Sequence, residues 1–215
     1  MTALTPRQEL LTLLATKSFR LGNFKLSSGG TSDYYIDCRT TTLDADGVRL
    51  TARVFLDEIF RQGWEPQAIG GLTMGADPIV VSVAMLSAQQ TMSRRPRPDV
   101  SPGGADYHLI HGFLVRKAEK EHGTGQRIEG FREKGAKVVI VDDVCTTGAS
   151  TIQAIEAARA FGFDVIGVIA LVEREEAQGR AKVEAAAAPA KFVTIFTADD
   201  VRAEHLRNQT EATVA

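Results

Sequence analysis

Val138-Val139-Ile140-Val141-Asp142-Asp143-Val144-Cys145-Thr146-Thr147-Gly148-Ala149-Ser150 decides how this chain is read. Four branched aliphatic residues in a row fit a strand buried on both faces, as in a parallel sheet covered by helices. Two carboxylates follow where that strand ends. A short turn of hydroxyl and glycine residues comes next, and Ser150-Thr151-Ile152-Gln153-Ala154-Ile155 opens a helix. In open α/β sheets, ligands bind beyond the carboxyl ends of the strands. The amino end of a helix, with unpaired N–H groups and small side chains, favours a phosphate. The segment therefore sets two anionic groups beside one anion cradle within roughly a nanometre, at about 3.3 Å per extended residue. A sugar phosphate satisfies both, with hydroxyls for the carboxylates and phosphate for the cradle. No Lys follows the glycine, which excludes a Walker A loop, and the G-x-G-x-x-G dinucleotide fingerprint is missing.

The segments on either side alternate between strand and helix patterns. Residues 5–17 form an amphipathic helix with Thr5 as N-cap and Pro6 in its first turn. Residues 22–39 read as extended chain around a turn at Ser27-Ser28-Gly29-Gly30. A helix over about 46–62 places Val48, Leu50, Val54, Phe55, Ile59 and Phe60 on or near its inner face. Residues 68–71 are a short strand, and the small residues that follow, up to Pro78, let backbone N–H groups approach a ligand closely. The helix from Pro78 to about Gln90 is apolar enough to be buried, and residues 93–106, rich in Pro, Gly and Arg, are an exposed loop. Residues 107–115 are a strand. After the organising strand and its helix, residues 164–172 are another strand. A helix from Glu173 through the Ala-rich stretch to Pro189 follows, then a strand over 191–196 and a helix from Ala198 to about Arg207 with a frayed end. Strands alternating with helices predict an α/β fold with one doubly wound, mostly parallel sheet and right-handed crossovers. No repeat or linker divides the 215 residues, so a single domain over 1–215 is expected.

Bulk composition narrows the class. Hydrophobic residues make up 44% and charged residues 24%, as in a soluble globular protein. A net charge of −2 gives no basic field, so neither DNA nor RNA is expected as a partner. No apolar run reaches the about 20 residues that span a bilayer, and no basic-then-apolar leader opens the chain, so the expectation is a cytoplasmic protein with no membrane partner. Cys38 and Cys145 offer no disulfide framework and read as reduced thiols, Cys145 as a small buried thiol with no His near it in sequence.

A second unusual stretch is Arg116-Lys117-Ala118-Glu119-Lys120-Glu121-His122-Gly123-Thr124-Gly125. A charge run alone is ordinarily a solvated loop. Between two strands, and beside the Asp142-Asp143 segment, it reads instead as a loop that closes over a polyanion and excludes water.

The segment from Asp142 to Ser150 resembles the phosphoribosyl diphosphate (PRPP) motif of the type I phosphoribosyltransferases. Arg116-Lys117-x-x-Lys120-x-His122-Gly123 resembles the catalytic loop of the orotate phosphoribosyltransferases. Phe24-x-Leu26-x-Ser28-Gly29-x-x-Ser32-x-Tyr34-Tyr35 is similar to their substrate segment, Gly70 to Ile79 to their diphosphate-side loop, and Val172-Glu173-Arg174 to the strand end that carries an orotate-binding Arg. The resemblance implies the type I fold with residues 1–40 as a small helix-plus-strand hood and 116–130 as a flexible catalytic loop. It implies transfer of the phosphoribosyl group of PRPP to orotate, in pyrimidine (UMP) biosynthesis.

Carried over residue by residue, it implies that Lys120, Asp142 and Asp143 are catalytic. PRPP would be bound by Arg116, Lys117, Lys120, His122 and the run Asp142, Asp143, Val144, Cys145, Thr146, Thr147, Gly148, Ala149 and Ser150. Thr146 and Arg174 would address orotate, and Tyr34 and Tyr35 either frame the base or form a core aromatic pair. Mg²⁺ is implied as cofactor, held mainly by the PRPP diphosphate, with a homodimer sharing the loop across subunits. Asp77 reads as a helix cap or as a contact to that Mg²⁺. Some relatives carry Lys where this chain has Ser27, so no role passes to that position. The alternatives are a purine or uracil phosphoribosyltransferase, and a non-catalytic PRPP-sensing regulator; the first would share the PRPP site and differ in the base pocket.

Overall fold

A computed structural model describes residues 4–25, 31–93, 109–117 and 127–214. The aliphatic run of the organising segment lies in a strand, β6, spanning Lys137–Cys145, with Val138 to Val141 fully buried. It is the third of five parallel strands. The others are β3 (Ala68–Leu72), β4 (His111–Val115), β7 (Asp164–Glu173) and β8 (Lys191–Thr197). A sixth strand, β5 (Ile128–Gly130), joins the edge antiparallel to β4, giving the order β5-β4-β3-β6-β7-β8. Helices α3 (Ala45–Arg61) and α4 (Asp77–Ser93) pack with α1 (Pro6–Leu13) and α7 (Ala198–Val214) into one apolar layer that includes Phe55, Ile59, Ile79 and Val201. Helices α5 (Ala149–Phe161) and α6 (Arg180–Ala187) pack into a second layer around Phe113, Ile140 and Ile155. This is the doubly wound sheet that the alternation predicts.

The order of strands fixes where a ligand can sit. From β3 the chain crosses through α4 to β4 on one side, whereas from β6 it crosses through α5 and α6 to β7 and β8 on the other. The direction of winding reverses between β3 and β6, and the carboxyl ends of those strands leave a crevice there.

The N-terminal segment is a two-stranded antiparallel hairpin, β1 (Phe19–Lys25) with β2 (Thr31–Ile36). It is clamped by α7: Phe19 stacks on Tyr34 at 5.2 Å and lies 5.2 Å from the His205 ring, and Arg202 pairs with Asp33 at 2.7 Å. Helix α1 starts at the Thr5 cap with Pro6 in the first turn, and Gln8 completes a capping box. Residues 14–18 then widen into a π-helical turn rather than continuing the α-helix.

Several boundaries differ from the sequence reading. Helix α7 runs to Val214, beyond the end expected near Arg207; its packing on the hood and on α1 is made by its first turns, where Ala198 and Val201 are buried. A short helix, α2 (Arg39–Thr42), begins where the extended reading ends and fills the gap before α3. Phe60 and, on α4, Val81 and Met85 are exposed, although Ile79, Val80 and Val83 are buried as expected. The Ala-rich helix does not start at Glu173. That residue ends β7, one short helical turn spans Glu175–Ala177, and Gln178 takes φ +52° before α6 begins. The break brings Gly179 against the turn after β6, where a Cβ at 179 would lie 2.2 Å from the Thr146 carbonyl oxygen. Gly179→Ala is therefore expected to lower stability by about 1–3 kcal/mol through overpacking, read as a fall in the urea midpoint.

Candidate active site

A cavity of about 340 Å³ occupies the crevice at the winding reversal. Its walls are the carboxyl ends of four parallel strands: Leu72 to Gly75 after β3, Lys117 after β4, Asp142 to Thr146 at β6, and Arg174 after β7. The hood adds Tyr35, Asp37 and Arg39.

The acidic pair forms the floor. Asp142 is 3% exposed, and its Oδ2 accepts hydrogen bonds from Ser150 Oγ at 2.9 Å and Thr151 Oγ1 at 2.6 Å, while Oδ1 accepts from the Asp143 N–H at 3.0 Å. Burial, with the Asp143 charge adding to it and the two hydroxyls opposing it, pushes the Asp142 carboxyl up from 3.8 to about 6. Asp143 Oδ1 accepts from the Val144 N–H at 3.0 Å, and burial raises this carboxyl too. A Cβ at residue 75 would stand 2.2 Å from Asp143 Oδ1, so a glycine there gives that carboxylate its room.

The cradle follows directly. Gly148, at φ +78°, turns the chain into α5, and no side chain caps that helix. Its first-turn N–H groups are then available to an anion. Val144, Thr146 and Ser150 line the cavity; Thr147, Gly148 and Ala149 form the turn between them. The Cys145 side chain points away into the second core layer, its thiol pushed up to about 11 by burial and the Asp142 charge, and Cys38 is likewise a buried free thiol.

Cations stand around the rim. Lys117 lines the cavity, and its carbonyl accepts from Gln153 Nε2 at 3.3 Å, which ties this flank to α5. The flanks of the basic segment meet in the β4–β5 pair, where the Arg116 N–H donates to the Arg127 carbonyl at 2.9 Å. Arg116 pairs with Glu129 at 3.6 Å. The stretch read as a loop over 116–130 thus ends in a strand at Ile128–Gly130. Lys120, His122 and the expected turn at Ser27 to Gly30 lie outside the described residues. Of the two tyrosines, Tyr35 lines the cavity, while Tyr34 is buried in the stack on Phe19 and reaches the site through Arg174. Asp77 accepts from Thr73 Oγ1 at 2.9 Å within its own loop.

Arg39 was not singled out from the sequence. Its Nε and Nη2 donate to Asp37 Oδ1 and Oδ2 at 2.8 and 2.9 Å, which fixes a cation on the cavity wall. The signal available was the i, i+2 acid–base pair beside Tyr35, which is common on surfaces and says nothing of a cavity.

Among the described residues no three His, Cys, Asp or Glu side chains stand together as a metal site. With Asp142 committed to hydroxyl and amide donors, Asp143 is the carboxylate with oxygen to spare. Such a donor set suits Mg²⁺ where substrate oxygens and water complete the octahedron.

Comparison with known proteins agrees with this geometry. The phosphoribosyl transferase domain family matches residues 111–199. An orotate phosphoribosyltransferase of Rhodopirellula baltica is 41% identical over 169 residues, covering 77% of this chain and 79% of that protein. One of Thermosynechococcus vestitus is 37% identical over 198 residues, covering 92% of this chain and 93% of that protein. The crystal structure of Mycobacterium tuberculosis H37Rv orotate phosphoribosyltransferase in complex with PRPP aligns with a TM-score of 0.67 at 28% identity, over 92% of this chain and 99% of that one. The chain belongs to the orotate phosphoribosyltransferases, on the type I phosphoribosyltransferase fold.

Proposed function

We propose that this protein transfers the 5-phosphoribosyl group of PRPP to orotate, giving orotidine 5′-monophosphate and diphosphate in pyrimidine biosynthesis. The observation that carries the reading is one cavity joining the buried Asp142 and half-buried Asp143 carboxylates, an uncapped helix N-terminus and the Arg174 guanidinium. The C1–O bond to diphosphate breaks and a C1–N bond to the base forms, so positive charge develops on the ribose ring and negative charge on the leaving group. Asp143, with oxygen to spare, would hold the ring hydroxyls, and Asp142 beside it adds negative charge that favours the positive charge developing on the ring. Residues 146–150 take the 5-phosphate. Arg116, Lys117, Lys120 and His122 take the diphosphate, and Arg39 adds a cation whose place does not depend on the basic loop. Thr146, Arg174 and Tyr35 address the base; an anionic ring with a carboxylate suits a planar guanidinium.

Asp143, together with the diphosphate oxygens, would hold Mg²⁺, which when bound would supply positive charge against the leaving group. A homodimer also fits. Val81 and Met85 stand one turn apart on the outer face of α4, 64% and 52% exposed, and a second copy would cover them.

Orotate, uracil, adenine and hypoxanthine assayed with PRPP and Mg²⁺, forward and in reverse, test the reading: turnover of orotate alone is expected, and turnover of a purine or uracil instead replaces it. Lys120→Ala is expected to lower kcat on the order of a hundredfold, since its charge meets one that develops in the transition state. The folded state holds the Asp142 proton more tightly than the unfolded chain does, so Asp142 costs stability as pH rises from about 4 to about 6. Asp142→Asn, which the Ser150 and Thr151 hydroxyls can meet by rotating, removes the charge that favours the developing positive ring and is expected to abolish turnover. It should also raise the unfolding free energy at pH 7 by roughly 1–3 kcal/mol, a gain absent at pH 4. Met85→Lys is expected to convert a dimer into a monomer in light scattering.

A further inference from the structure

Arg174 is 8% exposed, and most of its donors are committed inside the protein. Nε donates to the Tyr34 hydroxyl at 3.0 Å and to Glu176 Oε1 at 2.9 Å. Nη2 donates to Ser32 Oγ at 3.1 Å and lies 2.9 Å from the same Glu176 oxygen. The Tyr34 ring carries the guanidinium on its face, with Cζ 4.5 Å from the centroid, and its hydroxyl donates to Glu176 Oε1. Nη1 has no protein partner among the described residues. One edge and one face of a planar group are thus fixed, Nη1 is left without a protein partner, and the residue lines the cavity.

We propose that Glu176, with Tyr34 as its relay, is a positioning residue that aims Arg174 at the anionic base. The inference rests on the reading of Arg174 as the group that takes the orotate carboxylate. Glu176 could in principle compete with that carboxylate for the guanidinium. Two features decide otherwise. Its contacts lie on the Nε edge, and leave Nη1 open. Its side chain is 53% exposed and borders a second, smaller cavity with Asp33, Glu175 and Arg202, so solvent screens its charge from a ligand while its hydrogen bonds to Arg174 act directly. Without this acceptor, a nearly buried guanidinium on a flexible stem would turn toward other partners, and the entropy of holding it would fall on substrate binding.

Steady-state kinetics of Glu176→Ala, Glu176→Gln, Tyr34→Phe and Arg174→Ala test the proposal, with thermal melting to check each fold. Glu176→Ala is expected to raise KM for orotate by about tenfold or more, the scale of a hydrogen bond to a charged group, with KM for PRPP held within about twofold. Glu176→Gln keeps an acceptor oxygen for Tyr34 and Nε, and should recover part of the loss. Tyr34→Phe should show a smaller rise in the same direction, and serves as the second probe if the alanine variant melts early. An orotate KM that is unchanged or lower in Glu176→Ala, or a rise shared equally with PRPP, overturns the positioning role even if Arg174→Ala impairs orotate. An unchanged orotate KM in Arg174→Ala overturns the base-site reading as well.

Discussion

Everything at the site depends on how β3 meets β6. The two strands pair in parallel through Ala68, Ile69 and Gly70 opposite Val138, Val139 and Ile140, and the pairing stops there. Gly71 still touches β6 so closely that a Cβ would stand 2.0 Å from the Val141 carbonyl oxygen. Past that point β3 turns into the small-residue loop while β6 continues along β7 as far as Cys145. The resulting gap is the cavity, and its place is set by backbone pairing rather than by any side chain in it. Hydrogen-bonded strands cannot part elsewhere without leaving buried donors and acceptors unpaired.

The gap has an electrostatic character that a sugar diphosphate complements. Its floor holds carboxylates whose burial makes their charge costly, with hydroxyl and amide donors that partly offset the cost. Its rim holds guanidinium groups held by neighbouring carboxylates, Arg39 by Asp37 on the cavity wall and Arg174 by Glu176 outside it, with the Lys117 ammonium beside them. Opposed charges of this kind, held at fixed places before the substrate arrives, require little reorganisation when charge separates along the breaking bond. The same arrangement makes the free enzyme less stable than its packing allows, a common feature of sites built for catalysis.

Local features were legible in the sequence. The strand β6, the acidic pair at its tip, the cradle at Gly148 and the arginine ending β7 lie within short windows in which residue type dictates backbone form. Packing decided the rest. Gln178 and Gly179 break a helix that the alanine run would favour, because the chain must press against the Thr146 carbonyl from more than thirty residues away. Three residues, Ile128 to Gly130, are too few to announce a strand, and pair only because β4 offers an open edge. The exposed Val81 and Met85 have the same character as their buried neighbours on α4, so hydrophobicity alone could not separate the two faces.

The sequence by itself determined a doubly wound α/β fold and the composition of the cavity floor, since the helix N-terminus at Gly148 and the paired carboxylates are contiguous and need only a strand and a helix to form. Tertiary structure alone decided which cations face that ligand and what holds them. Arg39, Ser32, Tyr34, Glu176 and Arg174 come from the hood and from the chain just after β7, and the Arg174–Ser32 contact spans 142 residues. They meet because α7 clamps the hairpin over the strand ends. Contacts across such distances follow from the closure of the whole fold, which no local pattern encodes.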